Sequence, residues 1–132
     1  MATGAGVGMK EPNWVVRGGI ATPSQLQAGT GKHLGVPDPP GLFGFSVQYY
    51  PGKTIQELAA AGGFRNVQIS VTTDKELIAA GLSAGYSVSI VKSPGAGYHH
   101  TMQVPFPLPM DLAVALSAVF KQTPNPARFP GP

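Results

Sequence analysis

Asn66-Val-Gln-Ile-Ser-Val-Thr72, followed at once by Thr73-Asp-Lys-Glu76, sets two periodicities side by side. In the first segment Val67, Ile69 and Val71 alternate with Gln68, Ser70 and Thr72. A period of two predicts a strand, with the apolar set facing in and the polar set facing out. In the second segment Thr73 and Glu76 have the spacing of a capping box. That box opens a short helix to Ala80, with Gly81 as its C-cap.

The same signals recur on both sides. Upstream, Asn13 to Arg17 is a short β-prone run closed by Gly18-Gly19. Thr22 and Pro23 read as the N-cap and first position of a helix to Ala28. Gly29 to Gly41 is a loop rich in Gly and Pro. Leu42 to Gln48 is a strand with Phe43, Phe45 and Val47 on one face. Thr54 and Glu57 form a second capping-box spacing, for a helix to Ala61 stopped by Gly62-Gly63. Downstream, Tyr86 to Lys92 and Tyr98 to Val104 are strands joined by the turn Ser93 to Gly97, so they pair antiparallel. Met110 to Lys121 is the longest helix, with Leu112, Leu116, Val119 and Phe120 on one face.

The order β-α-β-α-β-α-β-β-α predicts an α+β fold. It is a single domain with a mixed or antiparallel sheet of about five strands and three or four helices. Residues 1–11 read as a flexible leader, 12–122 as the domain and 123–132 as an extended Pro-rich tail.

Composition narrows the chemistry. The 132 residues suit one domain and one core. There is no cysteine, which removes disulfides, thiolate catalysis and Cys-ligated zinc. Charged residues are 11 % of the chain, against about 25 % in ordinary domains. The 18 glycines and 14 prolines predict many turns. The net charge is +3, but its nine cations form no run, so no nucleic-acid footprint is visible in the linear sequence. The N-terminus lacks a signal peptide's charged and apolar regions, and no stretch approaches the about 20 apolar residues of a membrane span. The expected setting is cytoplasmic, or that of a delivered or secreted effector.

Four polar spots carry candidate chemistry. Arg17 ends an apolar strand before two glycines. An arginine there can hold phosphate bidentately, and Gly18 lets a ligand approach the backbone. Ser70 and Thr72 point the same way from one strand, although capping alone accounts for Thr73. His99 and His100 suit general acid–base work near neutral pH. As strand neighbours they face opposite sides, so they do not share a metal, and no metal is expected. The six acidic residues are few, and Glu57, Asp74 and Glu76 are committed to helix starts. That disfavours a two-carboxylate glycosidase and an acid-cluster metallonuclease.

Trp14 to Gly19, Ile69 to Glu76 and Tyr86 to Gly97, in that order, resemble mono-ADP-ribosyltransferase domains of the Arg-Ser-Glu type, common among bacterial toxins. The resemblance implies that Arg17 and Gly18 hold the phosphates of NAD and that the Ser70 to Thr73 run braces the nicotinamide pocket. The family's last motif places a catalytic Glu on a late strand. This chain has no Glu after Glu76, and Gln103 stands nearest that place.

The leading expectation is a nucleotide-directed enzyme, an ADP-ribosyltransferase-like toxin or effector domain acting on NAD. One alternative is a metal-independent ribonuclease using His99, His100, Lys92 and Arg17 on an RNA ligand. Another is a non-catalytic protein-binding module presenting aromatics such as Tyr49, Tyr50 and Phe129. A cognate inhibitor protein is an expected partner of the toxin readings.

Overall fold

Local chemistry starts each of the first three helices. In the computed structural model, which describes residues 12–31, 43–93 and 97–127, the Thr22 side chain accepts from Gln25 N ahead of α1 (Pro23–Gly29). Thr54 and Glu57 complete a reciprocal capping box ahead of α2 (Ile55–Gly62). Gly63 closes that helix in the left-handed region, at φ 63°, where glycine has no Cβ to clash. Thr73 caps α3 (Asp74–Ser83), with Asp74 and Glu76 in its first turn.

Strands β1 (Trp14–Gly18), β2 (Gly44–Tyr49), β3 (Gln68–Thr73), β4 (Ser89–Lys92), β5 (His99–Gln103) and β6 (Lys121–Pro124) form one sheet. Its order is β4-β5-β2-β1-β3-β6, and every neighbouring pair is antiparallel. With α4 (Met110–Val119) the chain is a single-domain α+β fold.

Strand alternation divides the interior in two. Val15, Phe45, Val47 and Met102 project to one face, where Leu26 of α1, Leu77 of α3 and Leu112 and Leu116 of α4 cover them. Val16, Ile69 and Val71 project to the other, beneath Leu58 and Ala59 of α2. A sheet clothed on both sides has no polar outer face at its centre.

That arrangement corrects several expectations. Ser70 and Thr72 do not face solvent; both are 2 % exposed, because three helices lie over their side of β3. Val67, expected to face in, lies before the strand begins and is 52 % exposed. Gly81 is no C-cap. It is inside α3, where a Cβ would come within 2.6 Å of Val88 Cγ2, so glycine there sets the helix against Val88. The helix expected through Lys121 stops at Val119, and Lys121–Pro124 becomes a sixth strand on β3. Strand residues reach Pro124, and Asn125 just beyond them is fully buried. Tyr49 is half-buried rather than presented. Its hydroxyl donates to Asp74 at 2.9 Å, and burial and that bond push its pKa up to about 12. The leader 1–11, the loop from Lys32 to Leu42, the turn residues 94–96 and the end of the tail, Phe129 included, lie outside the described residues.

Candidate functional site

β1 places Arg17 two positions after Val15, so its side chain emerges on the three-helix face. The guanidinium lies over the Phe45 ring, 5.2 Å from its centroid. Nη1 donates to Ser46 O at 2.7 Å. The third wall is Gly29 at the end of α1, where a Cβ would collide with Nη2 and lie 3.4 Å from Cζ. Burial lowers the Arg17 pKa, and no neighbouring carboxylate offsets that among the described residues. An arginine guanidinium nevertheless keeps its proton in a protein, so the charge stays. The result is a desolvated cation whose remaining donors meet no carboxylate among the described residues.

Arg17 stands where two clefts adjoin. The larger, about 490 Å³, lies along Gly18-Gly19-Ile20 and the facing residues Asn66, Val67 and Gln68. The smaller, about 240 Å³, is lined by Ser46, Gln48 and Phe64. Arg17, Gly18 and Asn66 border both. Gly18 makes this possible: a Cβ there would lie 2.7 Å from the Phe64 ring and 2.8 Å from Asn66 Oδ1. Gly19 follows at φ 76°, a backbone state that side chains disfavour.

The cleft walls are tied down from a distance. Ser70 Oγ donates to Gly19 O at 2.8 Å and accepts from Ala21 N at 2.9 Å, fixing the turn after Arg17. Asn125 holds the opposite wall. Its Nδ2 donates to Phe64 O (3.1 Å) and Asn66 O (3.0 Å), and its Oδ1 accepts from Ala127 N (3.0 Å).

The structure brings together only part of the expected set. Arg17 and Gly18 are at the clefts, and Ser70 acts one step removed, on the turn. Thr72 lines neither cleft, and its buried hydroxyl has no hydrogen-bond partner among the described residues. His100 is on β5, beyond β2 from Arg17, so the two strands are two steps of about 4.8 Å apart. Its register partner Val47, 1 % exposed, stands between. His100 Nδ1 is 3.0 Å from Tyr98 O, and the ring packs edge-on against Tyr49. A carbonyl only accepts, so Nδ1 carries the proton. Burial pushes the His100 pKa below its ordinary value, the Tyr98 bond partly countering it. His99 borders neither cleft, and Gln103 Oε1 accepts from Ser89 Oγ at 3.0 Å. Among the described residues no three His, Asp or Glu side chains converge as a metal site would require.

Gly29, Asn66, Gln48, Phe64 and Asn125 are site residues that sequence reasoning passed over. Gly29 is the most telling, because its backbone has no positive φ and alanine fits the helix there. Helix propensity alone makes Gly29→Ala stabilising by about 1 kcal/mol. The methyl would nevertheless evict the guanidinium. Eviction gives up the bond to Ser46 O and the seat on Phe45, which offsets that gain, so Gly29→Ala is expected to leave the melting temperature little changed while weakening anion binding about tenfold. Retained affinity in a titration of the variant would show that Arg17 does not bind from this seat.

No family model, curated protein or solved structure matches the chain. The functional reading therefore stands on the site alone.

Proposed function

We propose that the clefts at Arg17 bind a nucleotide, with the guanidinium on its phosphate, and that the chain is a nucleotide-directed enzyme domain. One observation carries the reading: a desolvated arginine with no carboxylate partner among the described residues, at the junction of two clefts. An anion returns to that cation the stabilisation that burial removed. The surroundings suit a nucleotide more than a bare ion. Ile20 and Val67 offer exposed apolar surface beside the larger cleft, and Gln25, Asn66 and Gln68 add neutral carboxamides.

NAD is the first ligand to test, on the strength of the Arg17-Gly18 pair at the clefts, with Ser70 fixing the turn beside them. An ADP-ribosyl transfer, and with it a toxin or effector role, belongs to the same reading. The ribonuclease alternative is weaker, because His99 and His100 do not border the clefts that Arg17 does. One observation favours a protein-binding role beside the nucleotide site. Ile78 and Leu82 on α3, with Met110 and Val114 on α4, leave apolar surface on the outside of the helical layer.

The test is a ligand-induced thermal shift with NAD and with a short RNA, on the wild type and on Arg17→Met. Methionine keeps the aliphatic stem against Phe45 and removes the charge. Loss of a buried charge-assisted contact costs about 2–5 kcal/mol, roughly 30-fold or more in affinity. The wild type is expected to shift with NAD and the variant not, with little difference between their ligand-free melting temperatures. A wild-type protein indifferent to both ligands would leave the protein-binding reading in first place.

A further inference from the structure

We propose that the smaller cleft is the pocket for the nucleotide's base, and that the Gln48 carboxamide reads its edge. This rests on the proposal that Arg17 holds the phosphate.

Gln48 is an anomaly in its strand. It is 9 % exposed, yet its side chain has no hydrogen bond among the described residues. Among the described residues Thr72 Oγ1 is the one buried side-chain polar atom without a partner, so the Gln48 carboxamide keeps contact with water, and its donors and acceptor are open to a ligand. What Gln48 does have is the cleft, which it lines beside Ser46 and Asn66.

The opposite wall is the Phe64 ring, and two glycines fix its position. A Cβ on Gly18 would meet the ring at 2.7 Å, and one on Gly62 would meet it at 2.6 Å. The same Gly62 Cβ would lie 3.0 Å from Gln48 Cγ. The absence of two side chains thus allows an aromatic platform and a carboxamide to border one small space. The cleft, at about 240 Å³, is below the about 300 Å³ at which pockets for drug-sized ligands begin. It has room for one ring system and not for a whole nucleotide.

Those features define the occupant by its chemistry. A planar ring stacks on Phe64, and an edge with a donor next to an acceptor satisfies both halves of the Gln48 carboxamide. A nucleobase has both properties. A sugar has no flat face, and a second phosphate would meet a neutral amide in place of a cation. With the base there, Arg17 and Gly18 at the shared border meet the sugar-phosphate, which extends into the larger cleft.

The experiment is a calorimetric titration with AMP and with ribose 5-phosphate, on the wild type, Gln48→Met and Arg17→Met. The wild type is expected to bind AMP about tenfold or more tightly than ribose 5-phosphate, since base stacking alone contributes about 1–3 kcal/mol. Gln48→Met is expected to reduce that preference about threefold or more by weakening AMP alone, the stacking on Phe64 remaining. Arg17→Met weakens both ligands. An undiminished preference for AMP in Gln48→Met overturns the base pocket and leaves the phosphate site standing. A wild type that binds neither ligand overturns both. Should Gln48→Met fail to fold, Phe64→Leu is expected to shrink the same ratio, and an unchanged ratio there overturns the base pocket equally.

Discussion

Asn125→Ala is expected to lower the melting temperature by about 10 °C, although Asn125 lies after the last strand and outside every helix. The size follows from its hydrogen bonds. The side chain is fully buried and serves Phe64 O, Asn66 O and Ala127 N together. Alanine leaves three backbone groups without partners. Each such group costs about 1–3 kcal/mol, and partial access of water to the Asn66 end brings the total to about 3 kcal/mol. Asn125→Asp is expected to do no better, because a carboxylate would set acceptors against the carbonyls of Phe64 and Asn66. The segment these bonds hold is a wall of both clefts, so ligand affinity should fall at temperatures where the variant is still folded. Thermal denaturation checks the first claim and calorimetry the second. A variant that melts with the wild type would show that Asn125 is a passenger.

Phe45→Ala is the second large effect. Phe45 has no exposed surface and is central to the core under three helices. Truncating a buried phenylalanine costs about 3–5 kcal/mol, from lost burial and the cavity left behind. For a domain whose total stability is about 5–15 kcal/mol, that is enough to populate the unfolded state near body temperature. Phe45 has a second task as the surface on which the Arg17 guanidinium rests. Phe45→Leu separates the two. Leucine keeps most of the volume and removes the ring, so stability falls by about 1 kcal/mol while nucleotide affinity falls by more than that loss explains. Chemical denaturation and titration of both variants decide the matter. Equal affinity in Phe45→Leu and wild type would make Phe45 a core residue only.

What could be read from the sequence was what depends on near neighbours. The caps at Thr22, Thr54 and Thr73 involve residues three positions apart, and all three formed. Arg17 was visible because an arginine between an apolar strand and two glycines is a local pattern. The remainder depends on contacts far along the chain. Lys121-Gln-Thr-Pro124 does not alternate and ends in proline, and only the open edge of β3 makes it a strand. Ser70 and Thr72 alternate correctly with Ile69 and Val71, yet polarity misled, because the chain covers both faces of β3. The Ser70 hydroxyl is satisfied by a turn about fifty residues earlier, which no local pattern encodes. Gly29 was silent for another reason. Its backbone is ordinary, and only the guanidinium beside it requires glycine.

The sheet order has a consequence for synthesis. Three of the four inner strands, β2, β1 and β3, are complete once Thr73 has been made, whereas β5 and both edges, β4 and β6, come later in the chain. A nascent chain leaving the ribosome can therefore assemble the centre of the sheet early, with Arg17 already on it. The wall of Phe64 to Val67 must wait for Asn125, among the last residues described. Competence to bind then matures only once Asn125 has been made, so chains that stop short of it carry the cation without a finished site around it.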